Sequence, residues 1–238
     1  MKVDILAFGA HPDDVELSCS GTIVKHISLG KKIAVIDLTQ GELGTRGNVE
    51  LRKKEAEAAS LIMGIHAREC LNMKDGFFQN DETHQLKVVQ MIRKYQPEIV
   101  LCNATSDRHP DHARAGRLVA DACFLSGLFK VETSNDGKNQ DAWRPKAVYH
   151  YVQDRFMQPD FVIDISEHAD KKQQSILAYA SQFYKPDSTE PETPISSPEF
   201  LENVFAKMSV FGRPIGARYA EAFCTERTAG VSTLFDLI

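Results

Sequence analysis

Ala7-Phe8-Gly9-Ala10-His11-Pro12-Asp13-Asp14 decides how the rest of the chain reads. An apolar run from Val3 to Phe8, of a length suited to a buried strand, stops at Gly9. A helical pattern follows, with Val15, Leu17 and Ile23 apolar and Gly30 closing it. His11, Asp13 and Asp14 are therefore expected on a short loop at the carboxyl end of the first strand. Open α/β sheets bind ligands at that end. One imidazole and two carboxylates so close together make half of a metal site. The other half is Asp107-Arg108-His109-Pro110-Asp111-His112, again just after an apolar strand, Ile99 to Cys102.

Outward from these motifs, strands and helices alternate. Lys32 to Leu38 reads as the second strand and Glu69 to Leu71 as a short third. Between them Val49 to Met63 reads as a helix stopped by Gly64, with Leu51, Ala58, Leu61 and Ile62 inward. Arg52 falls in the first turn of that helix, where the dipole disfavours a cation. It either faces something anionic or polar, or is solvated. The loop Thr39 to Asn48, with Gly41, Gly44 and Gly47, matches no phosphate fingerprint and reads as a flexible loop or a phosphate cradle. Asp75-Gly76 reads as a turn, and Val88 to Tyr95 as a helix ended before Pro97. Ala113 to Leu125 is a further helix and Thr133 to Asp141 a polar loop. Ala147 to Val152 and Phe161 to Ile165 follow as strands, then Glu167 to Ala180 as a helix. Lys185 to Pro198, with four prolines, reads as a surface excursion ahead of a last helix around Phe200 to Met208. The pattern predicts an α/β, Rossmann-like fold with a mostly parallel, doubly wound sheet and helices on both faces.

At 238 residues the chain suits one domain over 1–238 with a full-sized core. Its formal charge of −5, without a Lys/Arg-rich run, argues against a nucleic-acid partner. No apolar stretch approaches the roughly 20 residues of a membrane helix, and the N-terminal run, broken by Asp4, reads as a strand rather than a signal peptide. Five scattered cysteines without a CxxC pair read as buried thiols of a cytoplasmic protein.

Catalytic zinc sites take three ligands from His, Asp and Glu and leave a position for water, whose pKa falls to about 7. A carboxylate that is not itself a ligand can then act as base. Adjacent side chains diverge, so of Asp13 and Asp14 one can ligate while the other faces a substrate. His109 and His112 diverge likewise, with Asp111 near enough to orient an imidazole.

The motifs AHPDD at Ala10 to Asp14, Leu51-Arg52-x-x-Glu55 and Asp107-x-HPDH resemble the LmbE/PIG-L metal-dependent N-acetylglucosaminide deacetylases. The resemblance extends to Ser181-Gln182-Phe183 and Tyr219-Ala220-Glu221. Within that family the chain is similar to the bacillithiol-pathway enzymes that deacetylate N-acetylglucosaminyl-malate. The resemblance implies His11, Asp14 and His112 as ligands of zinc or iron(II). It implies Asp13 as general base, and His109, held by Asp111, as the imidazolium that stabilises the oxyanion or protonates the departing amine. Arg52 matches a substrate-binding arginine; Arg108 is our own candidate for the malate carboxylate. Some relatives add a mobile tyrosine as an oxyanion donor; Phe200 stands at that position here, and Tyr184 is the other candidate. A small-molecule substrate and a homo-oligomer are implied as well. An amidase of thiol S-conjugates would keep the same residues. A non-catalytic sugar- or nucleotide-binding module would have no use for a base at Asp13.

Overall fold

The computed structural model describes residues 1–186 and 188–237. In chain order the strands are β1 (Ile5–Gly9), β2 (Ile33–Thr39), β3 (Ala67–Met73), β4 (Ile99–Cys102), β5 (Ser134–Asn135), β6 (Lys138–Asn139), β7 (Ala147–Tyr151), β8 (Phe161–Asp164) and β9 (Ala220–Thr225). The helices are α1 (Asp14–Ser28), α2 (Val49–Met63), α3 (Glu82–Tyr95), α4 (Pro110–Leu125), α5 (Ala169–Leu177) and α6 (Pro198–Gly212). Seven strands form one sheet in the order β3-β2-β1-β4-β7-β9-β8, and β5 pairs only with β6. β1, β2, β3, β4 and β7 run parallel, while β9 is antiparallel to both of its neighbours.

The sheet is covered on both faces, so β1 and β4 at its centre are apolar throughout rather than alternating. Leu6, Phe8, Ile36 and Cys102 pack beneath α3 and α4. Ile5, Ala7, Val35 and Leu101 pack beneath α1 and α2 on the opposite face. The expected doubly wound, mostly parallel architecture is present. Chain order reverses between β1 and β4, so their carboxyl ends open a crevice at the switch point.

Four readings of the sequence need correction. The inward face of α2 is formed by Arg52, Glu55, Ala56, Ala59 and Met63, whereas Leu51, Ala58 and Leu61 are exposed. Apolar spacing misled because this helix turns two charged residues inward, where each finds a partner. Arg52 meets Asp13, and the Glu55 carboxylate accepts from the Ser181 amide and hydroxyl at 2.7 and 2.8 Å. Ala220–Thr225, read from sequence only as a motif, is the strand β9. The helix expected over Glu167 to Ala180 is a 3-10 turn, Ser166–His168, followed by the shorter α5. Of the five thiols, Cys19, Cys102 and Cys123 are buried, but Cys70 is exposed on the edge strand β3 and Cys224 is half-buried.

Candidate metal and catalytic site

Asp13 and Asp14 part company where β1 becomes α1. Asp13 caps the helix with φ 112°, a left-handed conformation unusual for a residue with a side chain. Asp14 opens α1, whose N-terminal dipole favours a carboxylate. Its Oδ2 accepts from the His11 amide at 2.9 Å and from Asn103 Nδ2 at 3.0 Å; its Oδ1 accepts from Gln153 Nε2 at 3.1 Å. Burial opposes its charge, but His112 and His11 beside it hold the carboxyl well below the usual range. Asp14 Oδ1 lies 3.1 Å from His112 Nε2, and Oδ2 lies 3.6 Å from His11 Nδ1.

Each of those rings is tied down through its other nitrogen. His11 Nε2–H donates to Asp75 Oδ1 at 3.0 Å, with Asp111 Oδ2 at 3.4 Å. His112 Nδ1–H donates to Asp107 Oδ2 at 2.5 Å. The remaining nitrogens, His11 Nδ1 and His112 Nε2, face Asp14; without a cation they carry protons toward it, and a bound cation would take the place of those protons. Carboxylates that fix a ligating imidazole from behind are the usual support of a metal site. The charge count agrees, because Asp13, Asp14, Asp75, Asp107 and Asp111 outnumber the two guanidinium groups paired with them, those of Arg52 and Arg114. The donor set fits a divalent cation.

Asp13 stands aside from this cluster. Its Oδ2 accepts from Arg52 Nη2 at 2.8 Å, and the same nitrogen donates to the Pro12 carbonyl at 3.1 Å. Burial raises the Asp13 carboxyl to about 6, against the pull of the Arg52 charge. The anion expected opposite Arg52 is thus Asp13. Gly41, at φ +66°, lets the loop after β2 run over that guanidinium; a side chain there would sit 3.5 Å from Arg52 Cζ. The loop covers an arginine, and neither of its sequence readings foresaw that.

His109 caps α4, followed by Pro110 in the first turn. Its Nδ1 accepts the Asp111 amide at 3.3 Å. That bond places the ring proton on Nε2. Burial, together with the charges of His11 and His112, lowers its pKa, favouring the neutral ring. The Asp111 carboxylate does not hold His109. It accepts from Gly76 N at 2.8 Å and Arg114 Nη1 at 2.7 Å, and it faces His11. The reason is directional: from the first turn of α4 the Asp111 side chain reaches toward the end of β3.

His11, Asp13, Asp14, Arg52, Arg108, His109 and His112 all line one cavity of about 280 Å³, and Asp111 lies fully buried behind it. Arg108 is exposed and meets Asp154 Oδ2 at 2.6 Å, so it is not a free clamp. Phe200 lines a side branch, while Tyr184 is exposed and absent from the lining. Thr193, Pro194 and Ile195 of the proline-rich excursion form one wall, so that segment is part of the site as well as of the surface. A larger groove of about 750 Å³ runs between α2 and β3, but no histidine lines it.

Sequence reading missed Asp75, Asn103 and Gln153 and gave Asp107 no role. A signal was present for each. Each follows closely on a strand that ends at the switch-point edge: β3, β4, β7 and β4 respectively.

Known proteins resemble this chain in sequence and in fold. The PIG-L model, described as GlcNAc-PI de-N-acetylase, matches residues 6–123. A conserved protein of Thermus thermophilus superposes with a TM-score of 0.86 at 32% identity, over 97% of this chain and 98% of that one. The chain belongs to the PIG-L/LmbE family. It is 29% identical over 228 residues to a diacetylchitobiose deacetylase of Thermococcus kodakarensis, covering 91% of this chain and 80% of that one. It is 24% identical over 192 residues to a probable N-acetyl-alpha-D-glucosaminyl L-malate deacetylase of Bacillus anthracis, covering 75% and 81%. No helix among the described residues is long and apolar enough to cross a membrane.

Proposed function

We propose that the chain is a metal-dependent hydrolase that removes acetate from an N-acetylglucosaminide, with N-acetylglucosaminyl-malate as substrate. One observation carries this reading. Two adjacent aspartates have been given different environments, Asp14 among ligand-type nitrogens and Asp13 against Arg52 with its carboxyl raised to about 6. A binding module needs only the first.

His11, Asp14 and His112 would hold the ion, zinc or iron(II), which supplies Lewis acidity to the amide carbonyl and to water. Asp13 accepts the proton of the attacking water, and Arg52 fixes the carboxylate in place for it. His109 Nε2–H donates to the oxygen that becomes negative as the carbonyl carbon turns tetrahedral. The C–N bond then breaks, acetate forms, and the proton held on Asp13 passes to the departing amine. Asp75 and Asp107 keep the two ligand rings oriented. Phe200 has no hydroxyl, so His109 carries the oxyanion contact without a tyrosine.

Arg108 is the substrate-binding arginine nearest the aglycone, and its pairing with Asp154 makes it a positioned donor. A homo-oligomer in the cytoplasm belongs to the same reading; the outward Leu51 and the 84% exposed Leu61 of α2 support an interface between copies. Acetate release tests the proposal. Metal-loaded protein is assayed on N-acetylglucosaminyl-malate, diacetylchitobiose and a thiol S-conjugate, with the metal counted per chain. Acetate from the first at the highest kcat/KM, with one ion per chain, is expected. Cleavage of the S-conjugate alone would make the protein an amidase.

A further inference from the structure

Arg108 is shared by three concavities. The main cavity holds His11, Asp13 and His109. From Asp14 and His112 a narrow passage of about 60 Å³ leads past Gln153 to Lys207 on α6. An outer chamber of about 290 Å³ continues from there, walled by Arg108, Asp154, Phe200, Asn203 and Lys207. The passage and chamber lead from the ligand residues toward α6 and the excursion, and the mechanism above gives Lys207 there no role.

Charge separates the two ends. The ligand end is rich in carboxylates. At the far end stand two cations, Arg108 and Lys207, with Asp154 as the one carboxylate on the chamber wall. Asp154 is taken by Arg108 Nε, and the nearby Asp107 is committed to His112 and to the Arg155 amide at 2.7 Å. Lys207 donates to the Gln153 carbonyl, and among the described residues no carboxylate comes within 4.0 Å of its Nζ. Burial pulls its pKa down, while Asp154 and Asp107 pull it up from a distance. A half-buried ammonium whose close partner is a carbonyl is poorly compensated. The chamber therefore has an excess of one positive charge. A single carboxylate matches that excess, whereas a phosphate, at about −1.5 to −2, would overshoot it.

We propose that the chamber between α6 and the excursion is a subsite for a carboxylate on the substrate's aglycone, with Lys207 as its specificity-determining residue. This rests on the deacetylase reading: with the acetamide at His11 and Asp13, the aglycone reaches Lys207 through the passage. Phe200, in the same wall, gives the aglycone's carbon skeleton an apolar face.

The test uses the metal-loaded protein and the variants Lys207→Met and Lys207→Arg, each shown by thermal melting to be folded. The first measurement is the ratio of kcat/KM for N-acetylglucosaminyl-malate to that for methyl N-acetylglucosaminide. That ratio falls about tenfold or more in Lys207→Met, as loss of a charge-assisted hydrogen bond requires, and is largely kept in Lys207→Arg. The second needs no turnover: calorimetric titration with the two amine products, glucosaminyl-malate and methyl glucosaminide. Tighter binding of the malate compound, lost in Lys207→Met, upholds the subsite even if neither acetylated substrate is cleaved, an outcome that would sink the deacetylase reading alone. Equal affinity of the unaltered protein for the two products overturns the subsite, and so does an unchanged substrate ratio in Lys207→Met.

Discussion

Asp13 and Asp14 are neighbours with the same side chain and opposite surroundings, so the roles proposed for them are separable by experiment. Asp13→Asn should keep about one ion per chain and lose roughly 10²–10⁴ in kcat, the usual range for loss of a general base. Asp14→Asn should lose metal affinity as well; metal analysis and kinetics on both variants check the division. The surroundings of Asp13 also set a pH dependence. A base must be ionised to act, and burial raises this carboxyl to about 6, so kcat/KM should fall about tenfold per unit as pH drops below that value. Arg52 works against the burial, because a cation stabilises the ionised form. Its removal in Arg52→Gln should therefore move the acid limb to higher pH. A limb that stays in place or moves down would remove Arg52 from the proton chemistry. The letters at 13 and 14 are identical, so the residues alone foretold only that the two side chains diverge, and the family resemblance supplied which was expected to do what. The helix start made Asp14 the inward one, and a left-handed φ turned Asp13 aside.

At the scale of elements, the most instructive segment is the proline-rich excursion, whose composition described its surface character and concealed its anchor. Arg46, 5% exposed, donates from Nε to the Pro191 carbonyl at 2.9 Å and from Nη1 to the Phe183 carbonyl at 3.2 Å. Its Nη2 reaches Ser188 Oγ at 3.3 Å, and the Gly47 amide donates to Glu190 Oε1 at 3.0 Å. The loop after β2 thus fastens the excursion that walls the site with Thr193, Pro194 and Ile195. Arg46→Met would strand those carbonyls, at about 1–3 kcal/mol for each group left buried without a donor. Proteolysis within 185–198 should quicken and KM should rise, with the metal content unchanged. Unaltered proteolysis and KM would mean that the wall holds itself. The close approach of α4 to β4 is a second device of this scale. A side chain at Gly116 would come 2.6 Å from the Asn103 carbonyl, and Asn103 holds Asp14.

Across the whole molecule, a buried ion pair joins elements distant in sequence. Lys172 of α5 is fully buried, lies 2.8 Å from Glu221 of β9, and donates to the carbonyls of Glu16 and Leu17 in α1. Glu221 accepts in turn from the amides of Gly21 and Thr22. Removing one partner of such a pair costs about 3–5 kcal/mol, because the other charge stays buried. For a chain of this size, Lys172→Met should lower Tm by about 10 °C in a thermal melt; a fall of a degree or two would show that Glu221 is satisfied by the α1 amides alone. The sequence by itself determined the doubly wound sheet, because apolar strands and helical stripes alternate along it with few ambiguities. It determined the two motif loops as well, since polar residues that follow β1 and β4 must meet where those strands adjoin at a switch point. Tertiary structure alone decided which face of α2 is inward, that β9 enters the sheet antiparallel, that Asp107 and Asp75 support the rings of His112 and His11, and that Lys207 reaches the site from α6. For α2 and for the two supporting aspartates the physical reason is the same. Periodicity reports where apolar side chains go, whereas a buried charge goes where its partner is, and that partner is supplied by another part of the chain.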